Sequence, residues 1–279
     1  MSSVEKEFTF TDKNFIHIRD IVTEHSGIVL SDAKRDMVYS RLVRRLRALK
    51  IKNFDQYCLL LEDQNHEEFT HFINAITTNL TSFFRENHHF EMLAGEILPD
   101  IMQRNRNSKK IRIWSAGCST GMESYSIAMV LKEVIPDQLG WDVKILATDL
   151  DTNVIETAAL GIYQANRVTG VSDSRMARWF MQGRGVNEDK LKVSKELRQM
   201  VTFKAMNLLQ PFPFKGPLDI IFCRNVVIYF DKETQKGLFD CFANVHANGS
   251  YLFIGHSETL YNVTDRYQLL RNTIYKKIH

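Results

Sequence analysis

The sequence predicts an α/β chain: a doubly wound, Rossmann-like domain carrying a small inserted antiparallel β-subdomain, preceded by an all-α N-terminal domain. Three observations carry that prediction. Ile111 to Leu131, IRIWSAGCSTGMESYSIAMVL, passes from an apolar run through a small-residue loop into an amphipathic stretch. Ile111, Ile113 and Trp114 favour a pleated strand, Ala116, Gly117, Ser119, Thr120 and Gly121 permit a sharp turn and close ligand approach, and Ile127, Val130 and Leu131 recur at helical spacing. About thirty residues on, Val143 to Ala147 reads as a second strand leading to Asp149, where a doubly wound sheet places a ribose-binding carboxylate. Finally, residues 1 to about 90 carry helix punctuation and no convincing strand alternation.

The loop also selects among nucleoside cofactors. A dinucleotide site needs G-x-G-x-x-G, so that a helix N-terminus receives the pyrophosphate; this chain has A-G-C-S-T-G, with Gly117 and Gly121 in it. Glu123 falls in the first turn of the following helix. A carboxylate there repels a pyrophosphate but suits a ligand bearing a sulfonium and an ammonium group. S-adenosylmethionine (SAM) fits better than NAD.

With 279 residues, 44% hydrophobic and 25% charged, the chain has the composition of a soluble globular protein with one sizeable core and a smaller unit. No run approaches the apolar length of a membrane helix, and MSSVEKEFTF lacks a signal-peptide core, so a cytoplasmic protein without membrane insertion is expected. Cys58, Cys118, Cys223 and Cys241 form no C-x-x-C pair and have no His at zinc spacing; reduced, mostly buried thiols and no metal site are expected. A net charge of +3 does not by itself argue for nucleic acid.

In chain order, Thr11 caps a helix with Phe15, Ile18 and Val22 on one face and Gly27 as its stop. Ser31 or Asp32 caps the next, with Val38, Leu42, Leu46 and Leu49 as its buried stripe. Lys34, Arg41, Arg44 and Arg45 share the adjoining arc, as either a solvated face or a docking surface for an acidic helix or a phosphate backbone. Asn53 precedes a third helix, and Phe69, Phe72, Ile73 and Ile76 mark a fourth. Asn79, Thr81 and Arg85, in the hydroxyl- and amide-rich link TTNLTSFFR, are candidates to point into an interdomain cleft, ahead of a helix from about Glu86 to Gln103. Asp151 or Thr152 starts a helix that Gly161 ends. Residues 179–203 read as the antiparallel insertion around a Gly183-x-Gly185 turn, its edge open to strand addition. Leu218 to Cys223 is a buried strand whose carboxyl end delivers Arg224, Asn225 and Tyr229 to the crevice. A helix from Lys232 to Val245, an Asn248-Gly249 turn, the strand YLFIG and a terminal strand pair complete the chain. The boundaries are 1–90 for the helical domain and linker and 91–279 for the cofactor domain.

The motifs KRDMVYSRLVRRLRAL, TTNLTSFFRENHHF, WSAGCSTGMESYSIAM, ATDLDTNV, NLL before a proline-rich turn, and IFCRNVVIYFD together closely resemble the chemotaxis receptor methyltransferases of the CheR type. The resemblance spans nearly the whole chain and implies SAM-dependent methylation of glutamate side chains on membrane-bound chemoreceptors, with S-adenosylhomocysteine as product. It implies SAM contacts from Asn79, Thr81, Arg85, Gly117, Glu123, Asp149, Asn207, Leu208, Arg224 and Asn225, with Arg85 and Tyr229 flanking the reacting carboxylate. Met122 and Ser124 depart from the family's usual Glu and Pro, while Glu123 is kept. The basic helix with Lys34, Arg41, Arg44 and Arg45 would lie along the receptor's methylation helices, and the enzyme would be a cytoplasmic monomer recruited to receptor arrays. A receptor C-terminal pentapeptide would tether at the β-subdomain; Gly183 and Gly185 fit that turn, but Asp189 replaces a later glycine. Two rivals, an RNA methyltransferase and a non-catalytic SAM-binding protein, fit less well: the chain has no recognised RNA-binding module and retains both Arg85 and Tyr229.

Overall fold

The computed structural model describes residues 6–279; residues 1–5, which the sequence assigns to the helical domain, lie outside the described residues. Four helices build the first core. In α1 (Asp12–Ser26), Thr11 and Asn14 cap each other's backbone N–H groups, and Gly27 closes the helix at φ 72°. One 3-10 turn, Asp32–Lys34, precedes α2 (Arg35–Leu49), so that helix begins later than the expected cap. In α3 (Phe54–Leu61) the Asn53 side chain accepts the Gln56 N–H, and α4 (Glu67–Ile76) turns Phe69, Phe72, Ile73 and Ile76 inward. Val38, Leu42 and Leu46 are buried as expected. Leu49 is exposed because α2 ends there, at Lys50 with φ 56°, and Val43 widens the buried stripe instead.

The helix expected from Glu86 to Gln103 is interrupted. It runs as α5 (His88–Met92), a π-type turn over Leu93–Ile97, and α6 (Leu98–Arg104). Pro99 has no N–H, and its ring crowds the carbonyl four residues earlier; widening the preceding turn relieves that clash.

The second domain follows with β1 (Lys110–Ala116), α7 (Met122–Val134), β2 (Asp142–Asp149) and α8 (Thr152–Leu160), the last capped by Asp151 and stopped by Gly161. Next come β3 (Ile162–Gln164), α9 (Asp173–Trp179), β4 (Phe180–Gln182), β5 (Lys190–Val193), α10 (Lys195–Met200) and β6 (Val201–Ala205). The chain ends with β7 (Leu218–Cys223), α11 (Lys232–Val245), β8 (His246–Ile254), β9 (Tyr267–Arg271) and β10 (Ile274–Lys277). Seven strands form the main sheet in the order β6-β2-β1-β7-β8-β10-β9, parallel from β6 to β8, with β10 and β9 added as an antiparallel hairpin. The chain leaves β1 towards β2 on one side and reaches β7 on the other. A crevice therefore opens beyond the carboxyl ends of these three strands.

Alternation along the strands divides the core. Ile111 and Ile113 of β1, Ile220 and Phe222 of β7, and Tyr251 and Phe253 of β8 face a layer with α5 to α7. Trp114, Ala116, Ile221, Cys223, Leu252 and Ile254 face the opposite layer with α11. Full burial of one such side chain stabilises the fold by roughly 1.5–3 kcal/mol.

Two sequence expectations change here. The antiparallel insertion is wider at its start and shorter at its end than 179–203. Its sheet, in the order β3-β5-β4, begins at Ile162 and ends at Val193, because the signal of β3 is only three residues long, while Val201 to Ala205 pairs with β2 in the main sheet. Asn248-Gly249 does not form a turn between α11 and the strand YLFIG. It lies in a bulge of β8, where the register against β7 shifts between Leu218↔His246 and Ile220↔Tyr251 and Gly249 takes φ 78°.

Two buried histidines make the fold acid-sensitive. Burial, with the Lys277 charge nearby, holds His246 down at about 3, and its Nδ1 meets the Tyr267 hydroxyl at 2.9 Å. Burial, with the Arg224 charge second, holds His89 at about 4. Both are neutral in the fold, whereas an unfolded imidazole takes up a proton below about 6.5. Their contribution is complete above that value and declines as pH falls towards 4. Calorimetric melting temperatures are therefore expected to drop steadily from pH 7 to pH 4.5; a flat profile to pH 5 would contradict the neutral burial of these rings.

Candidate cofactor and acceptor cleft

The loop between β1 and α7 is closed on itself. The N–H groups of Gly117 and Cys118 both donate to the Thr148 carbonyl at 2.8 Å, and the Ser119 N–H donates to Asp149 Oδ2 at 2.7 Å. These three amides are spent on the end of β2 and tie the loop to it. Only glycine fits at 117: φ is 85°, and a Cβ there would lie 2.3 Å from Val226 Cγ2. Asp149 Oδ1 accepts the Asp151 N–H at 3.0 Å, and burial pushes the Asp149 carboxyl upward. The end of β2 thus presents a fixed carboxylate to the crevice.

At the floor, Glu123 accepts the Ser115 hydroxyl at 2.7 Å and faces the Arg224 guanidinium at 3.2 Å; burial raises its carboxyl despite these partners. The Arg224 side chain is only 1% exposed, and its other face meets Glu86 Oε2 at 3.3 Å. Burial opposes ionisation of Glu86, but the hydrogen bond from His256 and the Arg224 charge outweigh it and hold that carboxyl at about 2. Glu86, His88 and His89 offer ligand atoms within 4.8 Å of one another, yet Arg224 already stands against the same carboxylate and disfavours a second cation there.

The helical domain supplies the opposite wall. The Asn74 amide donates to Thr152 Oγ1 at 2.9 Å, and Thr77 and Asn79 both donate to Asp151 Oδ2, at 2.8 and 2.7 Å. These bonds seat α4 on the capped start of α8. The connector from α1 to α2 closes the cleft: Val29 N–H donates to the Tyr229 carbonyl at 2.8 Å, and the Asn207 amide donates to the His25 carbonyl at 2.6 Å. The cleft so formed encloses about 1220 Å³, including its open mouth.

Asn79, Thr81, Arg85, Gly117, Glu123, Asp149, Asn207, Leu208, Arg224, Asn225 and Tyr229 all line this cleft, as does Lys34. Arg41, Arg44 and Arg45 do not. The basic arc separates into different jobs. Arg45 clamps Glu68, whose side chain is 1% exposed, through two hydrogen bonds, and Arg41 donates to the carbonyls of Ile76 and Thr77, both at 2.7 Å. Those two guanidiniums hold α4 to α2. Lys34 and Arg44 are exposed. The Arg85 guanidinium donates to the Leu80 carbonyl at 3.1 Å.

Sequence reasoning missed Glu86, Glu258 and the Ser26–Leu30 wall. The wall did leave a signal: Ile28-Val29-Leu30, an apolar run directly after a helix-stopping glycine, has to cover something. Glu86, at φ 57°, and Glu258 left none, since their partners are fixed only by the fold.

Glu123 faces Arg224 at the floor, and Asp149 stands at the end of β2 with the Ser119 and Asp151 amides on its carboxylate. That combination suits a cationic nucleoside, and a Rossmann-like crevice of this kind defines the SAM-dependent methyltransferase class. Residues 79–276 match the family model described as CheR methyltransferase, SAM binding domain, and residues 13–77 match CheR methyltransferase, all-alpha domain. The chain belongs to the CheR methyltransferase family, and its cofactor is SAM. It is 43% identical over 273 residues to the chemotaxis protein methyltransferase of Salmonella typhimurium, covering 97% of this chain and 92% of that one. The Escherichia coli protein of the same name is 42% identical with the same coverage. Chemotaxis protein methyltransferase 2 of Pseudomonas aeruginosa is 41% identical over 271 residues, covering 97% and 95%. Among the described residues no helix is long and apolar enough to cross a membrane.

Proposed function

We propose that this protein transfers the methyl group of SAM to glutamate side-chain carboxylates of chemoreceptors, giving glutamate 5-O-methyl esters and S-adenosylhomocysteine. The observation that carries this reading is the meeting of Arg85 and Tyr229 in the same cleft as Glu123 and Asp149. Bound there, SAM supplies an electrophilic methyl group on a sulfonium; Asp149 would hold the ribose, and Glu123 would face the cationic end. A glutamate carboxylate, with a reference pKa of about 4.3, is already ionised at neutral pH, so the chain needs no general base. Its task is to strip water from the carboxylate and aim one oxygen. The Arg85 guanidinium is suited to hold the acceptor by charge-assisted hydrogen bonds, and the Tyr229 hydroxyl to orient it. Ester formation removes the acceptor's charge and weakens the Arg85 bond, which favours release.

On this reading Lys34 and Arg44 supply positive charge near the approach of an acidic receptor helix, while Arg41 and Arg45 act by shaping the helical domain. Tethering of a receptor pentapeptide at β4, recruitment to receptor arrays and action as a monomer belong to the same proposal.

Labelled SAM incubated with a purified chemoreceptor cytoplasmic fragment is expected to give protein-bound label that mild base releases as methanol. In Arg85→Ala the rate should fall on the order of 100-fold, as when one donor to a reacting oxygen is removed. SAM binding without receptor labelling would sink the assignment of the acceptor.

A further inference from the structure

We propose that Glu258, in the segment after β8, is the positioning residue that fixes the loop carrying Arg224, Asn225 and Tyr229 into the cleft. This rests on the reading of that cleft as the SAM and acceptor site. The stretch after β7 leaves the sheet, takes Asn225 through φ 59° and makes only a single 3-10 turn, Val227–Tyr229. Such a segment has no ladder or long helix to satisfy its amides. Glu258 does so instead: Oε2 accepts the Asn225 N–H at 3.0 Å and also the Gly255 N–H, while Oε1 accepts the Ile228 N–H at 3.3 Å. Residue 258 is 6% exposed, so water cannot easily replace it.

The two loops also fit closely. A Cβ on Gly255 would lie 2.4 Å from Asn225 Nδ2 and 2.9 Å from Asn225 N, so the β8 loop presses on the β7 loop with nothing between them. An ionised carboxylate is the one side chain of this length that offers only acceptors, two oxygens with about four lone-pair sites. A glutamine must turn a donor-only NH2 towards one of these N–H groups. One amide is then left unpaired, and the loop has to shift. Because Arg224 packs on Glu123 and Tyr229 lines the mouth, that shift reaches both the cofactor and the acceptor.

Glu258→Gln, measured in the full chain at a temperature well below its melting point, is expected to raise the Kd for SAM at least tenfold. It should also lower kcat with receptor at saturating SAM. A role confined to stability would lower the melting temperature but leave Kd and kcat within twofold of wild type, and that result would overturn the proposal. Should the variant fail to fold, amide hydrogen exchange on the wild type decides: Asn225 and Ile228 are expected to be protected without ligand, and free exchange at both would refute the anchoring. SAM binding needs no receptor, so failure of receptor labelling with a weakened Glu258→Gln would discard the acceptor and keep the anchor.

Discussion

Replacing Arg224 by methionine is expected to remove measurable SAM binding and to cost roughly 3–5 kcal/mol of folding stability, as expected when one partner of a buried charge pair is deleted. The guanidinium, 1% exposed, stands between Glu86 at 3.3 Å and Glu123 at 3.2 Å, and it also donates to the Arg85 carbonyl. Methionine fills much of the volume but leaves two carboxylates facing a space without a cation. One of them then takes up a proton or drags water inward, and the Arg85 backbone loses its tether. Denaturant titration gives the stability change and calorimetric titration the affinity. A second experiment separates charge from shape: Arg224→Met combined with Glu86→Gln should recover part of the stability but not SAM binding, because Glu123 still lacks its partner. A single variant as stable as wild type would show that the three side chains are not coupled.

The second large effect lies in the helical domain. Arg45→Met should destabilise the protein by roughly 3 kcal/mol, since it strands a Glu68 carboxylate that is 1% exposed and bonded otherwise to the Tyr57 hydroxyl at 2.7 Å. The Arg45→Met, Glu68→Gln double variant should regain most of that loss, because a neutral amide tolerates burial beside Tyr57 better than an unpaired charge. The double variant also separates two roles for Arg45. If it acts only by holding α4, the folded double variant methylates receptor at close to the wild-type rate. A receptor KM raised tenfold or more with stability restored would return Arg45 to the docking surface.

Much of the architecture was legible because it follows from local periodicity. Thr11, Gly27, Asn53, Asp151 and Gly161 sit at helix ends, and their chemistry marks those ends wherever they occur. The central strand β7 is buried on both faces, so Leu218 to Cys223 could be read without knowing its neighbours. Gly117, Glu123 and Asp149 follow from a small-residue loop after one strand and an acid after the next, whereas Asn207 and Leu208 follow only from the resemblance to the CheR methyltransferases. What escaped is non-local. The destination of Arg45 depends on where Glu68, 23 residues away, is brought by the packing of α4, and an arc of like charges gives no hint of it. Glu258 reaches Asn225 across 33 residues, with α11 and β8 between them in the chain. Pro99 was visible, but not whether its clash would end the helix or widen it. The Asn-Gly pair was read as a turn because its chemistry is the same in a bulge.

The connector from Gly27 to Leu30 walls the cofactor cleft while belonging to the domain whose exposed Lys34 and Arg44 the proposed function assigns to the acceptor's approach. Two ligands that lean on one short piece of chain are thermodynamically linked. Any factor by which acceptor docking tightens or loosens that piece returns as the same factor in the grip on SAM, and the reciprocal holds. A change in that connector should then move both affinities together, although it touches neither the methyl group nor the carboxylate.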